Sequence, residues 1–185
     1  MPHAAITAVT YALPERAVTN ADLGAEFPEW GADKIAEKTG IQTRHIAGPD
    51  ETSADLAARA AEKLLASGVV AKAEIDFLLF CTQTPDFALP TSACLLQHRL
   101  GLPTTAGALD FNLGCSGYVY GLGLARGLVE SGQARRVLLL TGETYSKLLD
   151  PADKTVRTIF GDAGSATLVA AEETGAGAIG PVVFG

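Results

Sequence analysis

Five short apolar runs, separated by segments of helical character, constrain the fold of this 185-residue chain more than any other feature. The runs cover residues 4–11, 75–81, 106–111, 136–141 and 166–171. Most of them are continuous rather than alternating, which is typical of strands in a sheet that is covered on both faces. Because strands alternate with helices along the chain, we expect an α/β layered fold.

The segments between the apolar runs carry recognisable helix ends. Thr52 or Ser53 is expected to cap a helix that runs to about residue 66, and a second helix should begin at 90–91 and stop at Gly101. The helix after Cys115 contains four glycines: Gly117, Gly121, Gly123 and Gly127. Each glycine lowers helix stability by about 1 kcal/mol relative to alanine. We therefore expect this helix to lie between layers, closely approached by other backbone.

One cysteine is presented as a candidate nucleophile by residues 106–119. A buried strand breaks after residue 111, and an apolar helical segment resumes at about residue 116. This layout predicts Cys115 in the first turn of a helix, where unpaired N–H groups and the helix dipole favour a negatively charged sulfur. Gly114 and Gly117 leave room for a sharp turn and for a substrate. The alternative is a buried structural cysteine, since free cysteines are among the most buried residues.

Charge and cysteine usage narrow the class of protein. The net charge is −7 and the 14 lysines and arginines are scattered, so no nucleic-acid partner is expected. No basic leader precedes the first run and no apolar run approaches the ~18 residues of a membrane span, which predicts a cytoplasmic protein without membrane association. Three cysteines without Cys-x-x-Cys spacing, and three histidines that do not cluster, argue against disulfides and metal sites. Cys81 and Cys94 are interpreted as core residues.

Four segments carry a resemblance to a known family: TGIQTRHIA (39–47), TQTPDFALPTSACLLQHRLG (82–101), DFNLGCSGYVYGL (110–122) and DPADKTVRTIFGDAGSATLVAA (150–171). Their order and spacing resemble the amino-terminal half of β-ketoacyl-acyl carrier protein synthase III enzymes, within the thiolase superfamily. The resemblance implies one half of a thiolase-like layered fold, with a five-stranded, mixed, mostly parallel sheet and helices on both faces. Residues 1–172 would form the cysteine-bearing half and 173–185 would begin the connection to a carboxy-terminal half. A homodimer is also implied.

The same resemblance implies a reaction. In the family, the cysteine at the position of Cys115 takes an acyl group from acyl-CoA. A malonyl group on acyl carrier protein then loses CO2 and attacks the enzyme thioester in a Claisen condensation. Acyl-CoA and acyl carrier protein would be substrates, with no permanently bound cofactor. The family's catalytic histidine and asparagine and its second oxyanion glycine belong to the other half, which another chain or a longer polypeptide would supply. A solitary half is the least favoured reading.

Further candidate substrate-binding residues follow from the matched positions. Lys154 stands where family members have an arginine that contacts the coenzyme phosphates. Leu89 replaces a phenylalanine that reaches across the dimer into the acyl tunnel in acetyl-specific relatives. Lys38 and Arg44 are candidates for binding the same phosphates, with ordinary solvated charges as the alternative. Phe160 lies in a glycine-rich turn beside the family's active site and could line the acyl pocket or simply belong to the core.

Two other functions are compatible with these residues. The first is an acyltransferase on the same fold, which would pass the acyl group to an alcohol, amine or thiol without condensation. The second is a non-catalytic subunit that dimerises with an active relative. The intact Gly-Cys-Ser-Gly sequence at 114–117 disfavours the second, because such a subunit has no need to keep a nucleophile.

Overall fold

The computed structural model describes residues 2–175 and 177–183, and its centre is a five-stranded sheet. These described residues form seven strands: β1 (His3–Ala12), β2 (Ala17–Thr19), β3 (Thr43–His45), β4 (Phe77–Cys81), β5 (Gly107–Phe111), β6 (Arg136–Glu143) and β7 (Ala163–Glu172). The central sheet has the order β1-β7-β6-β4-β5, and β2 pairs with β3 in a separate antiparallel ribbon. All five predicted strands are therefore present.

Strand direction agrees with the predicted mixed, mostly parallel sheet. β4 is parallel to both β5 and β6, with Leu79 opposite Leu109 on one side and Leu139 on the other. β7 is antiparallel to β6 and to β1. Four strands consequently run in one direction and only β7 runs against them. The carboxyl ends of β4, β5 and β6 therefore meet at one edge of the sheet.

In the part of the chain that the structure describes, six α-helices accompany the strands: α1 (Asn20–Glu26), α2 (Ala32–Thr39), α3 (Ser53–Ala66), α4 (Ser92–Leu100), α5 (Gly117–Glu130) and α6 (Lys154–Arg157). α3 and α4 cover one face of the sheet, where Leu78, Phe80 and Leu138 are fully buried. α5 covers the other face over Leu79 and Leu139. The predicted covering of both faces is confirmed. None of these helices is long and apolar enough to cross a membrane.

The helix ends follow the predicted signals closely. The Thr52 hydroxyl accepts a hydrogen bond from the Asp55 N–H, and the Asp55 side chain accepts one from the Thr52 N–H, so the first turn of α3 is capped in both directions. α4 ends at Gly101, whose φ of 66° is a left-handed conformation that glycine adopts at low cost.

β7 begins three residues earlier than predicted, in a segment that the sequence interpretation treated as a glycine-rich turn. Gly164 pairs there with Gly142 of β6. A Cβ atom on Gly164 would overlap the backbone at Leu56, and one on Gly142 would overlap the carbonyl oxygen of Ser53. The glycines are needed because the backbone of α3 lies directly on these two strands, and this is a tertiary requirement rather than a turn signal.

The glycines of α5 differ in how closely other groups pack against them. A Cβ atom on Gly117 would overlap the sulfur of Cys81, and one on Gly121 would lie 2.7 Å from Cδ1 of Leu139, whereas one on Gly127 would meet nothing within 4 Å. The expected close approach of other backbone is wrong, since the neighbours of Gly117 and Gly121 are side chains. The inner face of the helix is buried, while the outer face leaves Val119 51% exposed.

A small lobe was not predicted. It combines the β2–β3 ribbon with α1 and α2, around a core of Val18, Leu23 and Ile35. Its strands have three residues each, too short to show a hydrophobic period. Residues 176, 184 and 185 of the predicted connection lie outside the described residues; within the remainder, Ala178 bridges to Ala5 and the Ile179 N–H donates to the Ala4 carbonyl at 2.7 Å.

Candidate active site

Cys115 is exposed at the junction between the sheet and α5. β5 ends at Phe111, and the N–H of Gly117 donates to the carbonyl of Gly114 at 2.8 Å, which closes a turn around Cys115. α5 begins at Gly117 with Ser116 as its N-cap, so Cys115 lies two residues before the first residue of the helix and not in its first turn, as the sequence predicted. Helix ends are defined only to within one or two residues. The sulfur is thus at the amino end of a helix and open to solvent.

Cys81 lies beneath this turn and is a structural thiol. It is 4% exposed, packs against Gly117, and donates a hydrogen bond to the Leu113 carbonyl at 3.3 Å. Burial raises the pKa of Cys81, and the nearby charge of Glu143 acts in the same direction. Its assignment to the core is confirmed. The assignment of Cys94 to the core is wrong, because Cys94 lies on the exposed side of α4 and accepts a hydrogen bond from Thr91.

Two further polar residues join Cys115 at the carboxyl edge of the sheet. A Cβ atom on Gly114 would lie 2.8 Å from Oε1 of Gln83, so the Gln83 amide rests against the residue that precedes Cys115. Glu143, half-buried at the end of β6, accepts hydrogen bonds from the Gln83 N–H at 2.6 Å and the Thr84 hydroxyl at 2.8 Å. Burial raises the pKa of Glu143, against the lowering effect of those hydrogen bonds.

Sequence reasoning missed Gln83 and Glu143, although a signal was present. Both follow or end predicted strands, and the carboxyl ends of neighbouring parallel strands are where ligands bind in α/β sheets. Asp162 was also missed as a buried structural group. It is 2% exposed and accepts hydrogen bonds from the N–H groups of Ala47 at 2.7 Å and Ser146 at 2.9 Å, which ties β3 to the segment after β6.

The candidate coenzyme-binding residues lie on the small lobe and on α6. Lys154, the first residue of α6, forms an ion pair with Glu29. Lys38 is exposed in the last turn of α2. Arg44 is only 4% exposed and donates to the Asn20 side chain at 2.8 Å and the Thr158 carbonyl at 3.1 Å. Arg44 therefore holds the lobe to the end of α6, and its guanidinium is not available to bind coenzyme phosphates.

The candidate acyl-pocket residues lie apart from each other. Leu89 is 83% exposed. Phe160 is half-buried, with its ring centroid 5.1 Å from that of Tyr145. Phe160 lines a cavity of about 220 Å³ together with Arg44 and Ser146. Among the described residues, no group of three or more histidine, cysteine or acidic side chains could hold a metal ion.

Comparison with known proteins shows which family this architecture matches. A sequence profile described as 3-Oxoacyl-[acyl-carrier-protein (ACP)] synthase III matches residues 109–185. Beta-ketoacyl-[acyl-carrier-protein] synthase III of Thioalkalivibrio sulfidiphilus is 42% identical over 176 residues, which are 95% of this chain and 54% of the relative. The corresponding synthase III 2 of Halalkalibacterium halodurans is 40% identical over 170 residues, 92% of this chain and 51% of the relative.

Solved structures give the same result. A crystal structure of a 3-oxoacyl-(acyl-carrier-protein) synthase III is 61% identical, with a TM-score of 0.97 over 100% of this chain and 55% of the other. The Pseudomonas aeruginosa enzyme of that name is 36% identical, with a TM-score of 0.85 over 92% of this chain and 52% of the other. The chain therefore spans about half the length of the relatives that it matches.

Proposed function

The chain belongs to the 3-oxoacyl-[acyl-carrier-protein] synthase III family of the thiolase superfamily, and from this premise we propose that Cys115 accepts an acyl group from an acyl-CoA thioester. The observation that carries the proposal is the exposed sulfur of Cys115 in the turn between β5 and α5. A nucleophile at the start of a helix meets oriented N–H groups and the positive end of the helix dipole.

The first step is a thioester exchange. The sulfur of Cys115 attacks the thioester carbonyl, the carbon–sulfur bond to coenzyme A breaks, and the coenzyme leaves as a thiolate that takes up a proton. The backbone N–H of Cys115 would donate to the oxyanion that forms in between. The covalent acyl-cysteine then holds the acyl group for a second reactant.

The second step is a condensation that requires the other half of the family's fold. Malonyl-acyl carrier protein loses CO2, and the electron pair left on its α-carbon attacks the acyl-cysteine carbonyl. A carbon–carbon bond forms, and the sulfur of Cys115 is released. The family resemblance assigns this step to a histidine and an asparagine of the carboxy-terminal half. Residues 1–172 would thus supply the nucleophile, and 173–185 would lead toward that half.

Substrate-binding roles for four residues extend the proposal. The ammonium groups of Lys154 and Lys38 would attract the coenzyme phosphates, although lysine lacks the two-pronged hydrogen bonding of arginine. The exposed Leu89 and the half-buried Phe160 would contact the acyl group. A leucine in place of a phenylalanine leaves more room, which favours a primer larger than acetyl.

We also propose a cytoplasmic homodimer that uses acyl-CoA and acyl carrier protein as substrates and holds no permanently bound cofactor. Support for the dimer comes from β5, which lies at the edge of the sheet and leaves Leu109 45% exposed. An edge strand presents unpaired N–H and carbonyl groups to a second strand. The net charge of −7 gives no support for a nucleic-acid partner.

Mass spectrometry of the intact protein that contains this chain would test the proposal. Incubation with acetyl-, isobutyryl- or octanoyl-CoA should add one acyl mass. Cys115→Ser should abolish the adduct, whereas Cys94→Ser, at the other exposed cysteine, should retain it. Adding malonyl-acyl carrier protein should then discharge the adduct as a ketoacyl product, which a simple acyltransferase would not form. An unmodified protein with all three donors, or an adduct that survives Cys115→Ser, would refute the proposal.

A further inference from the structure

Glu143 ties the end of β6 to the segment that follows β4. Its carboxylate accepts hydrogen bonds from the Gln83 N–H at 2.6 Å and the Thr84 hydroxyl at 2.8 Å. The same Thr84 hydroxyl accepts a hydrogen bond from the Thr144 N–H at 3.0 Å. The N–H of Thr82 donates to the Phe111 carbonyl at 3.2 Å, where β5 ends. Residues 82–84 are therefore fixed between the carboxyl ends of β5 and β6.

This segment carries one side chain to Gly114, the residue that precedes Cys115. The Gln83 amide fills the space that a side chain on Gly114 would occupy, with Oε1 2.8 Å and Cδ 3.3 Å from that position. Gly114 immediately precedes Cys115. Gln83 also remains exposed and lines a cleft of about 410 Å³ with Thr144 and Lys147. Its amide thus stands at the rim of the turn from which an acyl group on the sulfur must extend.

The position of Glu143 disfavours the charged form of its carboxyl group, because the side chain is half-buried. A half-buried carboxylate is unfavourable unless its lone pairs are satisfied, and no ion pair in the described part of the chain includes Glu143. Burial accordingly raises the pKa of Glu143.

We propose that Glu143 is a positioning residue for Gln83, and that the Gln83 amide is a specificity-determining group that contacts the acyl chain on Cys115. The proposal rests on the acylation of Cys115 proposed above. The Gln83 amide limits the room beside the sulfur, and Glu143 keeps it there by holding the Gln83 backbone. Glu143 acts only through Gln83 and does not touch the acyl group.

The experiment is a double-mutant cycle in the intact protein, with the rates of acylation by acetyl-CoA and octanoyl-CoA as the readout. Gln83→Ala keeps the backbone bond to Glu143 and removes the amide together with its γ-methylene, so the rate ratio should shift about tenfold toward octanoyl-CoA. Glu143→Ala should produce the same shift. The double variant should equal either single variant, because the two residues act in one chain of contacts.

Two further variants separate positioning from folding. In Glu143→Gln the new amide can accept from the Gln83 N–H and donate to the Thr84 hydroxyl, so the rate ratio should stay within about twofold of the wild type. Glu143→Asp keeps the charge but retracts it by one methylene, and should shift the rate ratio as Glu143→Ala does. If Glu143→Ala does not fold, the rate ratio of Glu143→Asp tests the positioning role instead. Glu130→Gln, at a carboxylate paired with Arg126 on the far part of α5, is the matched control.

The outcomes distinguish the two proposals. A wild-type protein that no donor acylates overturns both. A wild-type protein that is acylated, with an unchanged rate ratio in Gln83→Ala, overturns the assignment of Gln83 while the function stands. Additive effects in the double variant, or a Glu143→Gln variant as impaired as Glu143→Asp, overturn the positioning role of Glu143.

Discussion

The contact between Gly117 and Cys81 beneath the start of α5 can be tested by adding a single methyl group. In Gly117→Ala the new Cβ would lie closer than 3.0 Å to the Cys81 sulfur, a separation that real Cβ atoms essentially never show. Relaxation to an ordinary contact of about 3.5–4.0 Å requires a movement of at least about 1 Å. Overpacking of this kind costs about 1–3 kcal/mol of unfolding free energy. Because the helix start carries the Cys115 turn, acylation should slow about tenfold.

Denaturant unfolding and the acylation rate of Cys115 would be measured together. Gly127→Ala is the matched control on the same helix, since its Cβ meets nothing within 4 Å. It should raise the free energy of unfolding by about 0.5–1 kcal/mol and leave the acylation rate unchanged. Cys81→Ala combined with Gly117→Ala removes the obstructing sulfur and should recover most of the lost rate. Wild-type stability and rate in Gly117→Ala, or no recovery in the double variant, would refute the reasoning.

Three other predictions concern charge and capping. The folded state raises the pKa of Glu143, so wild-type stability should fall as pH rises from about 4.3, the ordinary glutamate value, through the raised value. Glu143→Gln should therefore gain stability over the wild type at pH 7 but not at pH 4, and an equal difference at both pH values would contradict this. Glu29→Gln releases Lys154 from its ion pair and should lower the KM for acyl-CoA about two- to fivefold in steady-state assays, a gain that Lys154→Gln should abolish. Thr52→Ala removes the N-cap of α3 and should cost about 1 kcal/mol in thermal unfolding, whereas a cost near zero would argue against the cap.

The sequence predicted the central sheet because its strands are continuous apolar runs, and burial on both faces leaves that signature without reference to the rest of the fold. The start of β7 escaped prediction because Gly164 looks like a turn residue in isolation. Its role depends on the backbone of α3 lying upon it, which no local pattern contains. The β2–β3 ribbon escaped because three-residue strands carry too little pattern.

For the candidate site, the sequence was informative only where a single continuous segment contains the whole pattern. The strand–turn–helix sequence around Cys115 indicated a candidate nucleophile, and the structure leaves that cysteine exposed. Gln83 and Glu143 are separated by 60 residues, and their contact exists only because β4 and β6 are neighbours. Arg44 illustrates the opposite error. As an isolated basic residue it resembled a phosphate ligand, but its guanidinium is buried against Asn20 and Thr158.

The adjacent glycines Gly142 and Gly164 also determine how β6 and β7 can align. In the observed alignment, the two positions without side chains face each other beneath α3. Sliding one strand by a single residue would bring Ala163 or Ser165 under the helix backbone, and it would turn every side chain of that strand to the opposite face. The helix therefore fits over one alignment only. A shifted pairing of β6 and β7 at this end of the sheet would overlap the backbone of α3. The same alignment places Glu143 where it accepts the hydrogen bond from the Gln83 N–H.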